Sequence, residues 1–244
     1  MIAFKTINSE TKQNGFANCS VLAVIPARGG SKGIPLKNIY PINGKPLLSF
    51  SIEVALNSKL IDYVVVSTED DQIAKVASGY ERIKVIRRPH HLAQDLTPTL
   101  PVLLHVLEQL PNQKKPEIIV TLQPTSPLRT SKHIDDAIRL LTSDFDSCVS
   151  VCQVDHSPYK MFKIEQGVLI KLFAAVDYGV PRQLLPPVYR ENGAVYVTWT
   201  KTLIQKNSIW GDKTVPYVME LEDSIDIDTI SDVKFTEILL KEKK

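Results

Sequence analysis

Short apolar runs rich in β-branched residues alternate along this chain with longer stretches whose apolar residues recur at helical spacing. The runs are Val21–Ile25, Tyr63-Val-Val-Val-Ser-Thr, Ile83–Ile86, Glu117-Ile-Ile-Val-Thr-Leu and Ser147–Val154. Each is too short for a helix and has no polar face, which predicts strands buried on both sides. Between them, Leu47–Leu56 places Leu47, Leu48, Ile52, Ala55 and Leu56 on one stripe. Asp70–Ala77, opened by acidic residues, Leu100–Leu110, with Pro101 tolerable in its first turn, and Ser131–Leu141 read as helices too. Strand–helix alternation of this kind predicts an α/β fold, a doubly wound, mostly parallel sheet with helices on both faces. The rhythm breaks between Asp155 and Arg190, where Pro158, Pro181, Pro186 and Pro187 separate the short pieces Tyr159–Ile164 and Val168–Phe173. That stretch predicts an inserted hairpin arm, with a long structured loop as the plainer alternative. Ala194–Trp199 and Thr214–Met219 return to strand, and Ile230–Lys244 closes the chain as an amphipathic helix.

The bulk properties narrow the class. A chain of 244 residues suits one large domain, here residues 21–244, with the polar residues 1–20 a loose extension before the first strand. Hydrophobic content of 43% and charged content of 23% are those of a globular protein. A net charge of +2 gives no reason to expect nucleic acid or a membrane surface as partner. Cys19, Cys148 and Cys152 are few and odd in number, which argues against a disulfide framework, and Cys148 and Cys152 read as small core residues on a strand. With no apolar run near the ~20 residues of a membrane helix and no signal-like core at the N-terminus, the expected compartment is the cytoplasm.

The first strand runs into Pro26, and the next twelve residues hold Arg28, Lys32 and Lys37 among Gly29, Gly30 and Gly33. Glycines let backbone N–H groups approach an anion and the cations neutralise it, so a strand feeding such a loop predicts a polyphosphate site. The spacing fits neither the dinucleotide fingerprint nor the P-loop, since Lys32 precedes Gly33 and Ile34 follows it. Three more stretches fall at predicted strand ends, where open α/β sheets bind ligands. Arg87-Arg88-Pro89 to Thr97 carries two arginines, with Thr97 either a ligand contact or the cap of the next helix. Leu122-Gln123-Pro124-Thr125-Ser126-Pro127-Leu128-Arg129 is a proline-stiffened turn whose Gln123 can hydrogen-bond a sugar or a base. In Asp223-Ser-Ile-Asp-Ile-Asp-Thr229, Asp226 and Asp228 project to one face of an extended segment, a pair that suits a hard cation on a triphosphate.

These motifs together carry a resemblance. Ile25-Pro-Ala-Arg-Gly-Gly-Ser-Lys-Gly-Ile-Pro-Leu-Lys-Asn38, the Gln123 turn and the Asp226/Asp228 element resemble, in the same order, the signatures of N-acylneuraminate cytidylyltransferases, the CMP-sialic acid synthetases. The resemblance covers roughly Val21 to the C-terminus. It implies a single Rossmann-like domain with a dimerisation arm at about 155–190, hence a homodimer. It implies transfer of a cytidylyl group from CTP to a nine-carbon keto acid, with release of pyrophosphate. N-acetylneuraminate is the first expectation for that nonulosonic acid; legionaminate and pseudaminate are the alternatives. By position, Ala27, Arg28, Gly29, Ser31, Lys37, Asn38, Arg88 and Thr97 are implied to bind the nucleotide. Gln123 and Arg182 are implied to bind the sugar, and Asp226 and Asp228 to hold Mg²⁺, with Mn²⁺ as the other choice. Arg28, Lys37, Arg182 and Asp228 are implied to be catalytic. Two competing readings remain, a non-catalytic homologue that binds CTP without turnover and a nucleotidyltransferase acting on a sugar 1-phosphate.

Overall fold

The computed structural model describes residues 20–111, 115–173 and 179–243, so the expected N-terminal extension and Cys19 lie outside the described residues. The predicted strands assemble into one sheet around β1 (Val21–Pro26). β4 (Tyr63–Thr68) and β5 (Ile83–Arg87) pair in succession on one side of it, and β6 (Ile118–Thr121) on the other, all parallel. Beyond β6 come β10 (Tyr189–Trp199), β7 (Ser147–Gln153) and β11 (Thr214–Met219), giving the order β11-β7-β10-β6-β1-β4-β5. Within this sheet, among the described residues, only β10 runs antiparallel to its neighbours.

Helices cover both faces, as the alternation requires. α1 (Leu47–Leu56), α2 (Asp71–Ser78) and α4 (Ser131–Leu140) press Ile52, Ile73 and Ile134 onto the face carrying Ala23, Ile25, Val66 and Val120. α3 (Thr99–Glu108) and α5 (Thr200–Gln205) cover the other face through Leu103, Val106 and Leu203, against Leu22, Val24 and Val65. Fully burying one such side chain stabilises by roughly 1.5–3 kcal/mol, so strand residues covered on both sides anchor the fold. Cys148 and Cys152 are both wholly buried, and burial pushes the Cys148 thiol up to about 12, consistent with a packing role. A third cluster seats α6 (Ile230–Glu242) against the loop after β1 and a small hairpin, β2 (Pro41–Ile42) and β3 (Lys45–Pro46), through Ile34, Ile42, Leu47, Ile227 and Val233. This cluster brings the last helix under the basic loop.

Two expectations are refined. β10 starts at Tyr189, not Ala194: Gly193, at φ +71°, lies where the register with β7 shifts, and this bulge lets the polar residues before it keep pairing with β7. The expected arm does contain a hairpin, β8 (Phe162–Glu165) with β9 (Val168–Lys171), and every residue of both strands is exposed. Among the described residues no helix is long and apolar enough to cross a membrane.

Candidate active site

A cleft of about 610 Å³ opens at the carboxyl ends of β1, β5 and β6. The chain steps from β1 to β4 and β5 on one side and then places β6 on the other, so the cleft lies at the switch point of the sheet. Arg28, Ser31, Lys32, Lys37, Asn38, Arg88, Thr97, Gln123 and Asp228 line it. Each of the four stretches singled out from sequence thus contributes residues to the cleft, the acidic one through Asp228.

The loop after β1 is held from several directions. Leu36 takes a left-handed conformation, φ 50° and ψ 38°, immediately before a single turn of 3-10 helix at Lys37–Ile39. That conformation costs a non-glycine residue about 1–2 kcal/mol, and it turns the chain so that Lys37 faces the acidic segment. Lys37 Nζ donates to the Ile227 carbonyl at 2.7 Å and to Asp228 Oδ1 at 2.8 Å. Asn38, 5% exposed, donates through Nδ2 to the Arg28 carbonyl at 2.8 Å and so braces the loop across its own curve.

The glycines act differently from the expectation that they free N–H groups for an anion. The Gly29 N–H is committed to Glu69 Oε1 at 2.7 Å. A Cβ on Gly29 would lie 2.7 Å from Asp70 Oδ2, the carboxylate group that caps α2 by accepting from Gln72 and Ile73 N–H. A Cβ on Gly33 would lie 2.5 Å from the Asp228 carbonyl oxygen. Gly29 and Gly33 therefore admit close packing of the loop on α2 and on the acidic segment, while Gly30 faces open space. Ala27 is wholly buried and donates its N–H to the Ser67 carbonyl, so it anchors the loop on β4 without lining the cleft.

Glu69 also accepts from Arg88 Nε at 3.2 Å, in a pair whose side chains are 9% and 4% exposed. Burial pushes the Arg88 guanidinium down from its ordinary value while Glu69 holds it up. A buried charge left unpaired is expensive, so Glu69 fixes Arg88 at the cleft wall. Thr97 is not a helix cap, because α3 starts at Thr99 behind Pro98; its hydroxyl donates to the His91 carbonyl at 3.3 Å.

On the opposite wall Gln123 sits on a turn fixed by Arg129. That guanidinium is almost wholly buried and donates to carbonyls, Ala194 at 2.6 Å and Gln123 at 3.1 Å, and to the Ser51 hydroxyl. Desolvation takes its pKa down to about 9. Asn192, 1% exposed, donates to Ser224 Oγ at 2.9 Å and accepts from Ser150 Oγ at 2.6 Å. It thereby ties the β10 bulge to the segment that carries the acids, and the Ile227 N–H bonded to the Thr125 carbonyl at 2.8 Å makes a second tie.

Asp228 reaches the cleft, whereas Asp226 is half-buried behind it. Burial first, and the Asp228 carboxylate beside it, push the Asp226 carboxyl above the usual range against a hydrogen bond from the Thr125 side chain. Its Oδ1 is buried with no hydrogen-bond partner among the described residues. A partnerless carboxylate oxygen next to a second carboxylate is a donor set that fits a hard divalent cation. Among the described residues no group of three or more His, Cys, Asp and Glu could hold a metal, so the two aspartates do not complete a coordination shell with other such side chains. Arg182, on an exposed 3-10 turn, does not line the cleft of its own chain. Glu69 was not singled out in the sequence. Asp95 and Arg129 fall within stretches that were, and Asn192 within Arg190–Ala194, which also resembles the family. None of them was given a role of its own, and buried polar residues such as Arg129 and Asn192 have no sequence periodicity.

A family profile described as Cytidylyltransferase matches residues 22–242. The chain is 34% identical to the CMP-N,N'-diacetyllegionaminic acid synthase of Legionella pneumophila, over 91% of this chain and 96% of that protein. It is 31% identical to post-translational flagellin modification protein B of Campylobacter coli, again covering 91% of this chain and 96% of the relative. It is also 34% identical to an N-acylneuraminate cytidylyltransferase of Streptococcus agalactiae, over 86% of this chain but 51% of that protein, so it spans about half of that relative. Among solved structures, a CMP:2-keto-3-deoxy-manno-octonic acid synthetase in complex with CTP superposes with a TM-score of 0.68 at 15% identity, over 92% of this chain and all of that one. That likeness is one of fold.

Proposed function

Because this chain belongs to the cytidylyltransferase family, we propose that it is the enzyme that moves a cytidylyl group from CTP to a nine-carbon keto acid sugar. The observation that carries this reading is the convergence of Arg28, Lys37, Arg88, Gln123 and Asp228 on one cleft at the sheet's switch point. In nucleotidyl transfer the anomeric hydroxyl attacks the α-phosphorus and pyrophosphate leaves, so the protein must neutralise charge and align the two groups. Arg28 and Lys37 neutralise the triphosphate as charge moves onto the leaving group. Asn38, Arg88 and Thr97 contact the cytidine nucleotide, and Gln123 contacts the sugar. Asp226 and Asp228 hold Mg²⁺ or Mn²⁺, which when bound supplies positive charge to the phosphates. The acid is N-acetylneuraminate or a relative of it such as legionaminate or pseudaminate; a full-length relative is named for legionaminic acid, which makes that acid a serious rival to the first.

The exposed β8–β9 hairpin supports a homodimer. Ile164, Val168 and Leu169 are 73%, 59% and 63% exposed, and an isolated two-stranded ribbon has little stability of its own. In the dimer Arg182 serves near the phosphates or the sugar carboxylate across the interface. CTP supply places the reaction in the cytoplasm.

The test is pyrophosphate release from CTP and Mg²⁺ with N-acetylneuraminate, legionaminate, pseudaminate and the eight-carbon Kdo offered separately. Release with one nine-carbon acid, lost in Asp228→Asn, is the expected result. Tight CTP binding without release from any acid would sink the enzyme reading in favour of a binding protein. Light scattering of the full chain tests the dimer.

A further inference from the structure

Two of the three cations in the basic loop are neutralised by one carboxylate in the stretch from Arg87 to Thr97. Arg28 Nη1 and Lys32 Nζ both lie 2.8 Å from Asp95, the first at Oδ1 and the second at Oδ2. Asp95 sits on the turn between β5 and α3, on the opposite rim of the cleft, so the pairs cross the space a polyphosphate would fill. The two cations, Lys32 foremost, hold its carboxyl below the usual range, so it is ionised wherever the cleft would bind a nucleotide. The turn is anchored by the Thr97 N–H on the Gln94 carbonyl and by the Thr97 hydroxyl on the His91 carbonyl, yet its tip is uncovered: Leu96, the next residue, is 93% exposed.

We propose that Asp95 is a built-in competitor for the polyphosphate, a carboxylate that occupies Arg28 and Lys32 in the empty cleft and must give them up when the nucleotide binds. This rests on the reading of the cleft as the CTP site. A carboxylate with two oxygens on two cations copies two oxygens of a phosphate group, so both cannot hold the same positions. The competition lowers affinity for CTP. It lowers affinity for pyrophosphate equally, which lets the leaving group depart and keeps the cations from being blocked by it. Asp95 is thus an affinity-setting residue and performs no step of the transfer.

The experiment is calorimetric titration of the full chain, without divalent metal, with inorganic pyrophosphate and with CTP. Asp95→Asn should tighten both by about three- to tenfold at low salt, the range that two exposed ion pairs allow. In an Arg28→Ala background the same substitution should gain less, because one of the cations it frees is gone. That coupling is a readout a merely structural role for the turn would not produce. Asp95→Ala measured alongside, with melting temperatures, keeps a folding defect in one variant from hiding the answer. Unchanged or weaker pyrophosphate binding in folded variants, while the unaltered chain binds CTP, overturns the proposal. Absence of any CTP or pyrophosphate binding by the unaltered chain overturns the reading of the cleft itself, and the proposal with it.

Discussion

Lys37 Nζ sits 2.8 Å from Asp228 Oδ1, joining two residues 191 positions apart and closing the basic loop onto the acidic segment. Lys37 is mostly sheltered, its side chain 16% exposed, while Asp228 is 71% exposed, so solvent screens the pair and it contributes at most about 1 kcal/mol to stability. Its importance is in where it holds the ammonium. Lys37→Met is expected to lower kcat/KM for CTP by about 10²-fold or more, the scale of losing one preorganised charge at a transition state, with a melting temperature close to the parent's. Steady-state pyrophosphate release and a thermal melt decide it; retention of most of the activity would show that Lys37 is only a tether.

Gly33 and Gly30 differ by three positions and should differ sharply in tolerance. A methyl at 33 meets the Asp228 backbone carbonyl at 2.5 Å, which cannot rotate away, whereas a methyl at 30 meets nothing within 4 Å. Gly33→Ala is expected to push the loop off the acidic segment and cost at least tenfold in kcat/KM, and Gly30→Ala to stay within a factor of about three. Activity assays on the two single variants make the comparison. Equal losses would mean that the loop binds through its backbone and that space is not the constraint.

That contrast also bears on what the sequence discloses. The strands at the sheet centre were legible because Val21–Ile25 and Tyr63–Thr68 are buried on both faces and carry unbroken apolar runs. The antiparallel direction of β10 was not, since a run buried on both faces reads the same either way along the sheet. The small β2–β3 hairpin was not among the predicted elements, although Asn43-Gly44, at φ 47° and 79°, is the residue pair favoured by two-residue hairpin turns. At the site, the expected residues do gather at the cleft, apart from Ala27 beneath it, Gly29 bonded to Glu69, the expected metal ligand Asp226 behind Asp228, and Arg182 on an exposed turn. The holding roles of Glu69 on Arg88 and of Arg129 on Ala194 were silent, because these partners come together only in the folded sheet.

Gly193 stands behind Gln123, so the bulge in β10 and the proposed sugar contact can be tested together. At φ +71° an alanine is strained whatever the space, and its methyl would lie 2.7 Å from Gln123 Oε1. The amide is the far end of a flexible side chain and can swing aside, but then it leaves its position on the cleft wall. Gly193→Ala should raise KM for the sugar about tenfold or more and leave CTP affinity nearly unchanged, with a stability loss of roughly 1–2 kcal/mol from the backbone conformation. Separate KM determinations for the two substrates check it, and a rise confined to CTP would place Gln123 on the nucleotide side.

Asp226 is the residue whose removal should help the fold and harm the reaction. Its carboxyl is held above the ordinary 3.8, mainly by burial and then, against a hydrogen bond from Thr125, by Asp228. A group with a raised folded value binds more protons folded than unfolded, so its ionisation costs stability as pH climbs from the unfolded value through the folded one. Above that window the cost is fully present. Asp226→Asn removes it and is expected to raise the melting temperature at neutral pH, by about 2–4 °C for each kcal/mol relieved in a domain of this size, and to flatten the fall in stability across the acid range. If the orphaned Oδ1 is where a divalent cation binds, Mg²⁺ with CTP should raise the melting temperature of the parent clearly more than that of the variant, since only ligand bound to the folded state stabilises it. Pyrophosphate release should fall about 10²-fold. A variant that melts lower than its parent at pH 7 would mean that the Thr125 hydrogen bond outweighs the burial of the charge, and an equal Mg²⁺ response in both would remove Asp226 from the metal site.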